Sequence, residues 1–273
     1  MRHKIDPSSL AALPRGSGVY IFKGLGTLPL YIGKSVNIRA RVLSHLRTPN
    51  EASMIAQTSR VDFIETAGEL GALLLETRLI KEQSPLFNQR LRRIRRLCSI
   101  RLRQTPEGIT PQIVDSKTVN LGATPALYGL FSSAHAAKAQ LKELAQQHSL
   151  CLALLGLEKT SARSCFGLQI KTCLGACVGK EGRRTHDERL LSALVDMQVE
   201  VWPFSGPVDL IEETEGWVQK YRVNNWCHIG TWCSKTEEAS IFTKLKPDDF
   251  DHDSYKILVK PILLQTVKIQ AVE

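Results

Sequence analysis

Residues 18–45, GVYIFKGLGTLPLYIGKSVNIRARVLSH, constrain the fold more than any other stretch of the chain. Two short apolar runs there each carry a glycine, an aliphatic residue and a tyrosine, and the tyrosines are Tyr20 and Tyr31. A segment with Gly24 and Pro29 separates the runs. Apolar runs of this length, bounded by such residues, predict two strands of a hairpin with a longer connection. The hairpin therefore brings two phenols to one small sheet.

After the second run the sequence changes from the period of a strand to that of a helix. Ser35 or Asn37 can cap this helix. Asn37, Arg41 and His45 follow at steps of four, which places them on one helix face. Lys34 lies just before the helix. Two strand tyrosines alone would most simply be core aromatics. Their combination with a lysine and a polar stripe indicates a reactive site.

The next segment predicts a third strand and a further helix. Residues 61–66 (VDFIET) alternate apolar and polar side chains, and residues 69–83 carry the leucines of an amphipathic helix. Glu76 lies among these leucines. The outer face of a helix is the ordinary place for a glutamate, and one that points inward costs several kcal/mol unless it is paired or binds a cation. A small sheet with helices on its faces buries the apolar residues.

These elements together resemble the GIY-YIG endonucleases. The resemblance rests on the triplets at residues 18–20 and 31–33, on Lys34, Asn37 and Arg41, on Glu76 within ALLLETRLIK, and on Asn88 within SPLFN. Within the family, the sequences of these segments are similar to the nuclease domain of UvrC, a subunit of the nucleotide-excision-repair machinery. The length of the chain and the segment FDHDSYKIL look most like the shorter, Cho-type excinucleases. The resemblance implies an α/β nuclease domain with a short mixed sheet and flanking helices.

The resemblance also implies a catalytic set, which consists of Tyr20, Tyr31, Lys34, Arg41, Glu76 and Asn88, with His45 in a supporting role. Tyr31 is expected to be the general base that activates water, and Tyr20 to orient it. Lys34 and Arg41 are expected to lower the tyrosine pKa, since a phenol with an ordinary pKa of about 10 is a poor base at neutral pH. Glu76 is expected to bind Mg²⁺ or Mn²⁺. Asn88 is expected to fix phosphate or backbone geometry.

A run of arginines follows the predicted nuclease. It comprises Arg90, Arg92, Arg93, Arg95, Arg96, Arg101 and Arg103, and no acidic residue lies between Glu82 and Glu107. Such a run is usually a solvated face or tail. The net charge of +9 favours a polyanionic partner. After a nuclease module, we expect residues 90–96 to bind the DNA backbone without sequence readout.

Four of the seven cysteines form a candidate cluster. They are Cys151, Cys165, Cys173 and Cys177, with Gly175 and Gly179 allowing tight turns around the last two. The spacing is neither that of a paired zinc ribbon nor that of a bacterial ferredoxin, so four cysteines in an apolar core would look similar. The resemblance to UvrC at all four positions implies a [4Fe–4S] cluster, with zinc as the alternative. Cys98, Cys227 and Cys233 are expected to be ordinary thiols.

We therefore predict two domains. Residues 1–97 form the nuclease with its basic end, and residues 98–273 form an α+β domain with the cysteine cluster at 151–177. No stretch reaches the roughly 20 apolar residues of a membrane helix, and the amino terminus lacks the pattern of a secretory signal. We expect a cytoplasmic monomer.

The resemblance implies an excinuclease that makes one incision on the 3′ side of a lesion in double-stranded DNA. Its expected partners are UvrB, with UvrA acting upstream. Two alternatives stay open. One is a GIY-YIG nuclease of restriction or homing type, which would cut undamaged DNA, and the other is a noncatalytic DNA-binding scaffold.

Overall fold

A computed structural model of the chain describes residues 4–88, 97–159, 164–241 and 250–272. It divides into two compact units, of which the first contains Met1–Arg93 and Phe204–Glu273 and the second contains Ile94–Pro203. The sequence predicts a single domain over 98–273, whereas the structure groups the carboxy-terminal part with the predicted nuclease domain. No helix in the described ranges is long and apolar enough to cross a membrane.

The amino-terminal part of the first unit contains a small sheet and its flanking helices. Its elements are α1 (Pro7–Ala11), β1 (Gly18–Lys23), β2 (Pro29–Ser35), α2 (Ile38–His45), a 3₁₀ turn (Pro49–Glu51), α3 (Ala52–Gln57), β3 (Arg60–Glu65) and α4 (Glu69–Gln83). The strand order is β2-β1-β3, and both pairings are antiparallel. The prediction of a mixed sheet is therefore wrong, because all of its pairings are antiparallel. A hairpin joins β1 to β2, and the chain then passes through α2 and α3 before β3 pairs with the other edge of β1.

The two faces of this sheet pack against different helices. On one face, Phe22 of β1 lies in a core with Ile38 and Val42 of α2. On the other face, Ile21 and Ile32 pack with Leu79 and Ile80 of α4. Burial of each such side chain contributes about 1.5–3 kcal/mol. The sheet thus holds α2 and α4 on opposite sides of the edge strand β2.

The second unit is an antiparallel sheet with helices. Its elements are β4 (Cys98–Thr105), β5 (Gly108–Asp115), β6 (Leu127–Phe131), α5 (Ala134–Gln147), α6 (Phe166–Gln169), a 3₁₀ turn (Ala176–Val178), α7 (Arg183–Leu194) and a further 3₁₀ turn (Val195–Met197). The strand order is β5-β4-β6. Ser133 caps α5 by accepting a hydrogen bond from the Ala136 amide. Ile100, Leu141 and Leu190 lie in one core that joins the sheet to α5 and α7.

The carboxy-terminal part returns to the first unit. Its elements are β7 (Val208–Thr214), β8 (Trp217–Asn224), β9 (Cys227–Cys233), β10 (Glu238–Ile241), α8 (His252–Leu263) and β11 (Lys268–Ala271). They form an antiparallel sheet of order β10-β9-β8-β7-β11. The fully buried Trp226 meets Tyr255 of α8 edge-on, with 5.2 Å between ring centroids. This contact joins α8 to the sheet.

This carboxy-terminal sheet caps α4. The residue before α4, Gly68, provides no side-chain cap. Instead, the two carboxylate oxygens of Glu212 accept hydrogen bonds from the Leu70 and Gly71 amides, each at 2.9 Å. Tyr221 donates its hydroxyl proton to the same carboxylate at 3.0 Å. The first turn of a helix leaves its amides without partners inside the helix, so Glu212 satisfies donors that α4 cannot satisfy itself.

A second contact holds the other end of α4. Lys81 in its last turn lies 2.6 Å from Asp251 and 2.8 Å from Asp253, at the start of α8. Asp251 also caps α8 through the Ser254 amide. These ion pairs and the Glu212 cap link the carboxy-terminal part to α4 within the first unit.

Candidate active site

The two tyrosines of the hairpin lie side by side near the sheet edge. Tyr20 of β1 pairs with Gly33 of β2, and Phe22 pairs with Tyr31, so both phenols project from the same face. Their ring centroids are 6.2 Å apart. Tyr20 is 1% exposed, whereas Tyr31 is half-buried. Tyr31 is therefore the phenol that a substrate can reach.

Gly33 of β2 leaves space for the Tyr20 side chain, which lies against it. A Cβ atom at this position would lie 2.3 Å from the Tyr20 hydroxyl oxygen and 2.8 Å from a ring carbon of Tyr31. Only glycine leaves room for the phenol there. Gly18 meets a similar limit, because a Cβ would lie 2.2 Å from the Ile64 carbonyl oxygen of β3. Close packing therefore explains why each of the two triplets contains a glycine.

His45 and Glu51 extend the site into the protein. The Tyr20 hydroxyl lies 2.7 Å from His45 Nε2. On the other side of the ring, His45 Nδ1 lies 2.5 Å from Glu51 Oε2. His45 is 2% exposed, and burial lowers its pKa while Glu51 raises it. His45 thus contacts Tyr20, a member of the predicted catalytic set, directly.

Arg41 lies one helical turn before His45 and beside the phenols. It is exposed, and it interacts with the Tyr20 hydroxyl. Asn37, the first residue of the predicted polar stripe, caps α2 by accepting a hydrogen bond from the Ala40 amide at 2.9 Å. Arg41 and His45 therefore belong to the site, whereas the hydrogen bond of Asn37 starts the helix.

Glu76 reaches the same edge from the other face of the sheet. Its Oε1 accepts a hydrogen bond from the Lys34 amide of β2 at 3.1 Å. The Lys34 ammonium lies 2.5 Å from Glu69 Oε1, in the first turn of α4. Burial raises the pKa of Glu76, and the amide and charge of Lys34 lower it. The carboxylate therefore points inward to β2 and is anchored there by the backbone.

The tyrosine pKa values differ from the prediction. Burial raises the pKa of Tyr20 above its ordinary value, and Tyr31 raises it further, whereas Arg41 lowers it. Burial also raises the pKa of Tyr31, followed by the charge of Glu76, and Arg41 again lowers it. The predicted net lowering is therefore wrong, because burial outweighs Arg41 and the Lys34 ammonium pairs with another carboxylate.

Asn88 acts on the backbone of β2. Its Oδ1 accepts a hydrogen bond from the Ile32 amide at 2.9 Å, and its Nδ2 donates to the Ile32 carbonyl at 2.8 Å. The side chain thus continues along β2 the pairing that the Leu86 and Phe87 amides begin by donating to the Pro29 and Leu30 carbonyls. Of the two roles predicted for Asn88, the structure places it in contact with backbone.

The residues around Glu76 fit a hard divalent cation. The Glu76 carboxylate supplies oxygen ligands and is half-buried. This burial destabilises its anionic form, and a bound cation would offset that cost. Mg²⁺ is commonly held by one or two carboxylates and keeps several of its waters. A single half-buried carboxylate therefore suits such an ion, for which water and phosphate oxygens would complete the ligands.

The four predicted cysteines meet in the second unit. The Sγ atoms of Cys151, Cys165, Cys173 and Cys177 all lie within 4.8 Å of one another, and this is the one cluster of metal-ligating residues found among the described residues. Backbone amides donate to two of the sulfurs, from Leu168 to Cys165 and from Gly175 to Cys173, each at 3.3 Å. Burial raises the pKa of Cys151 and Cys173. Burial also raises the pKa of Cys165, but the Leu168 amide and the other three thiols outweigh it and lower the pKa.

This donor set fits a metal centre. Four thiolates bind either one tetrahedral ion or an iron–sulfur cluster. A tetrahedral zinc ion with Zn–S bonds of about 2.3 Å sets its sulfurs about 3.8 Å apart. Separations within 4.8 Å suit such an ion directly, whereas a four-iron cluster needs the sulfurs to move apart.

The predicted DNA-binding arginines, Arg90, Arg92, Arg93, Arg95 and Arg96, lie outside the described residues. Arg101 and Arg103 lie on β4.

Three contributors to the site were missed by the sequence analysis: Glu51, Glu69 and Glu212. The sequence carries little signal for them. Glu51 follows α2 at a sequence distance from His45 that no helical repeat predicts. Glu212 is more than 140 residues away in sequence from the α4 amides that it binds. A carboxylate in a 3₁₀ turn directly after the helix that carries His45 is the one local hint.

Three family models together match most of the chain. The UvrC-like GIY-YIG domain matches residues 16–89, the middle domain of the UvrC/Cho excinucleases matches residues 97–196, and the carboxy-terminal domain of excinuclease Cho matches residues 207–273.

Curated proteins with similar sequences include excinuclease Cho of Escherichia coli strain K12, which is 48% identical over 258 residues. That match covers 94% of this chain and 85% of the E. coli protein. UvrABC system protein C of a Ruegeria species is 34% identical over 174 residues, which cover 63% of this chain and 27% of that protein.

Among solved structures, the GIY-YIG domain of Thermotoga maritima UvrC bound to magnesium is 33% identical, with a TM-score of 0.29. The match covers 32% of this chain and 99% of that one. With the E. coli relative 48% identical over nearly the whole chain, and with all three domain models matched in order, the chain belongs to the excinuclease Cho family of GIY-YIG endonucleases.

Proposed function

We propose that this chain is a metal-dependent DNA repair endonuclease, an excinuclease that hydrolyses one phosphodiester on the 3′ side of a lesion. Its substrate is damaged double-stranded DNA in which UvrA and UvrB have exposed the lesion. The observation that carries the proposal is the meeting of Tyr20, Tyr31, Arg41 and Glu76 around the edge strand β2. Phosphodiester hydrolysis needs a base for the attacking water and positive charge for the phosphoryl oxygens, and these residues can supply the base, a guanidinium and a carboxylate ligand for a cation.

Each residue has a role that follows from its placement. Tyr31, the half-buried phenol, accepts a proton from the attacking water, and the buried Tyr20 orients it. Arg41 is exposed beside the phenols, where its planar guanidinium can bind two phosphate oxygens as negative charge accumulates. Asn88 keeps β2, and with it Tyr31, in register.

Glu76 is the residue that would hold the catalytic cation, Mg²⁺ or Mn²⁺. When bound, the cation acts as a Lewis acid on the phosphoryl oxygens and lowers the pKa of water. Lys34 fixes Glu76 through its amide and keeps its own ammonium on Glu69. The Lys34–Glu69 pair thus places positive charge next to Glu76 without occupying it.

Basic charge supports DNA as the substrate. The net charge of +9 and the arginines at 90–96 provide phosphate-binding groups that are independent of sequence. The nuclease recognises the backbone in this proposal, and UvrB supplies the position of the lesion.

The four-cysteine cluster is proposed to bind a metal centre with a structural or redox-sensing role. The sequence resemblance favours a [4Fe–4S] cluster, and the sulfur separations suit a single zinc ion. Neither takes part in hydrolysis, which is assigned to the cation at Glu76.

An incision assay tests the proposal. The substrate is a duplex with one bulky lesion, with either strand end-labelled, incubated with Mg²⁺ in the presence or absence of UvrA and UvrB. We expect a single cut on the 3′ side of the lesion that requires both proteins. Cutting of undamaged DNA at a recognition sequence would support a restriction or homing nuclease instead. No cutting under any of these conditions would favour a DNA-binding scaffold.

A further inference from the structure

The buried His45 and the half-buried Glu51 extend the tyrosine pair. Glu51 ends the 3₁₀ turn that follows α2, and its carboxylate lies 2.5 Å from His45 Nδ1. The opposite ring nitrogen, Nε2, lies 2.7 Å from the Tyr20 hydroxyl. The His45 side chain is 2% exposed and that of Glu51 is 31% exposed. A continuous line of hydrogen-bonding groups therefore runs from Glu51 through His45 to Tyr20.

The chemistry of these groups fixes where the protons lie. A carboxylate only accepts hydrogen bonds, so His45 Nδ1 must carry a proton and donate it to Glu51. In neutral His45, Nε2 is then the acceptor, and Tyr20 must donate its hydroxyl proton to it. Because Tyr20 has one proton, its oxygen is left to accept from Tyr31 and from Arg41, both of which interact with it.

We propose that Glu51 is a positioning residue that makes His45 the final proton acceptor of the nuclease site, with Tyr20 as the link. This inference rests on the proposed hydrolysis. The O–H bond of the attacking water breaks as its oxygen bonds to phosphorus, and the water proton passes to Tyr31. The bond from phosphorus to the leaving deoxyribose oxygen breaks at the same time, and that oxygen keeps the electron pair and takes a proton from solvent water. The proton of Tyr31 moves to Tyr20, and that of Tyr20 moves to His45 Nε2. Both phenols end neutral, and the new imidazolium faces the Glu51 carboxylate.

This arrangement removes a difficulty of a tyrosine base. Burial raises the pKa of both phenols, so a free phenolate is rare at neutral pH. An imidazole is a far better base there, and burial keeps His45 neutral before the reaction. The charged and titratable groups that face His45 in the described part of the chain are Tyr20 from β1, Tyr31 from β2, Arg41 from its own helix and Glu51.

Substitution Glu51→Gln separates charge from geometry. The glutamine oxygen can still accept from Nδ1, but the negative charge that stabilises the imidazolium is lost. We expect the maximal cleavage rate to fall by between about 10- and 100-fold.

The pH dependence of cleavage gives a second readout. The rate depends on neutral His45 and so declines below the His45 pKa. Glu51 raises that pKa, so its loss should move the acid limb of the pH–rate profile to lower pH. Asp62→Asn, which alters a half-buried carboxylate paired with Lys23 and Arg60 on the sheet, should leave both quantities unchanged.

A nuclear magnetic resonance titration of the histidine rings measures the pair without relying on activity. His45 signals are assigned by their loss in His45→Gln. We expect the Nδ1–H tautomer in the wild-type protein and a lower His45 pKa in Glu51→Gln. If the wild-type enzyme is active, and if Glu51→Gln has the same acid limb and the same His45 pKa as the wild type, the relay is overturned but the proposed function is not. A wild-type protein that cuts no DNA would overturn the proposed function and the relay with it.

Discussion

The cap that Glu212 places on α4 gives a prediction about how the carboxy-terminal sheet supports the nuclease. In Glu212→Gln, the amide keeps one acceptor oxygen and turns an N–H donor toward the second helix amide. One of the two hydrogen bonds at 2.9 Å is therefore lost, and a partly buried backbone donor is left unpaired. The unpaired donor costs about 1–3 kcal/mol. Loss of negative charge at the helix start adds about 0.3–1 kcal/mol.

The expected total is about 1.3–4 kcal/mol, which corresponds to a fall of roughly 3–16 °C in Tm for a unit of this size. Thermal unfolding followed by circular dichroism measures this. Glu213→Gln is the matched control, because the adjacent Glu213 is exposed and pairs with the exposed Lys268, and such pairs are worth about 0–1 kcal/mol. If Glu212→Gln unfolds at the same temperature as the control, Glu212 does not cap α4 in solution.

Two other substitutions test the packing of the site and the cysteine cluster. In Gly33→Ala the new methyl group displaces the Tyr20 hydroxyl, so single-turnover cleavage should fall by about 100-fold. Gly26→Ala, at a position with open space around it, should cut normally, and equal rates for the two variants would refute the packing argument. Cys165→Ser should lose the metal found in the anaerobically purified wild-type protein, whereas Cys233→Ser should keep it. Analysis of iron, zinc and sulfide identifies the centre, and a wild-type protein with none of these would leave only a core of free thiols.

The local elements of the nuclease could be predicted from the sequence because they depend on nearby residues. The hairpin follows from two apolar runs and a glycine-rich connection, and α4 occupies the predicted residues 69–83. Asn37 caps α2, as one of the two predicted alternatives. The pairing of Tyr20 with Gly33 across the hairpin follows from the triplet motif, although the close contact itself is visible only in the structure.

Properties that depend on burial and on distant contacts could not be predicted in this way. The tyrosine pKa values were expected to fall because Lys34 and Arg41 are near in sequence, but the fold buries the phenols and directs the Lys34 ammonium to Glu69. The cap from Glu212 requires a sheet that forms late in the chain. Periodicity describes one element at a time and therefore carries no information about either effect.

The central claim is that Glu76 holds the cation for phosphodiester hydrolysis. Single-turnover cleavage of lesion-containing DNA in the presence of UvrA and UvrB, measured across a Mg²⁺ titration, tests it most directly. Glu76→Gln is compared with Glu82→Gln, which alters an exposed carboxylate on the same helix. The account predicts a loss of at least about 100-fold in Glu76→Gln with DNA binding retained, and a normal rate in the control. Cleavage by Glu76→Gln at the wild-type rate and Mg²⁺ dependence would contradict it.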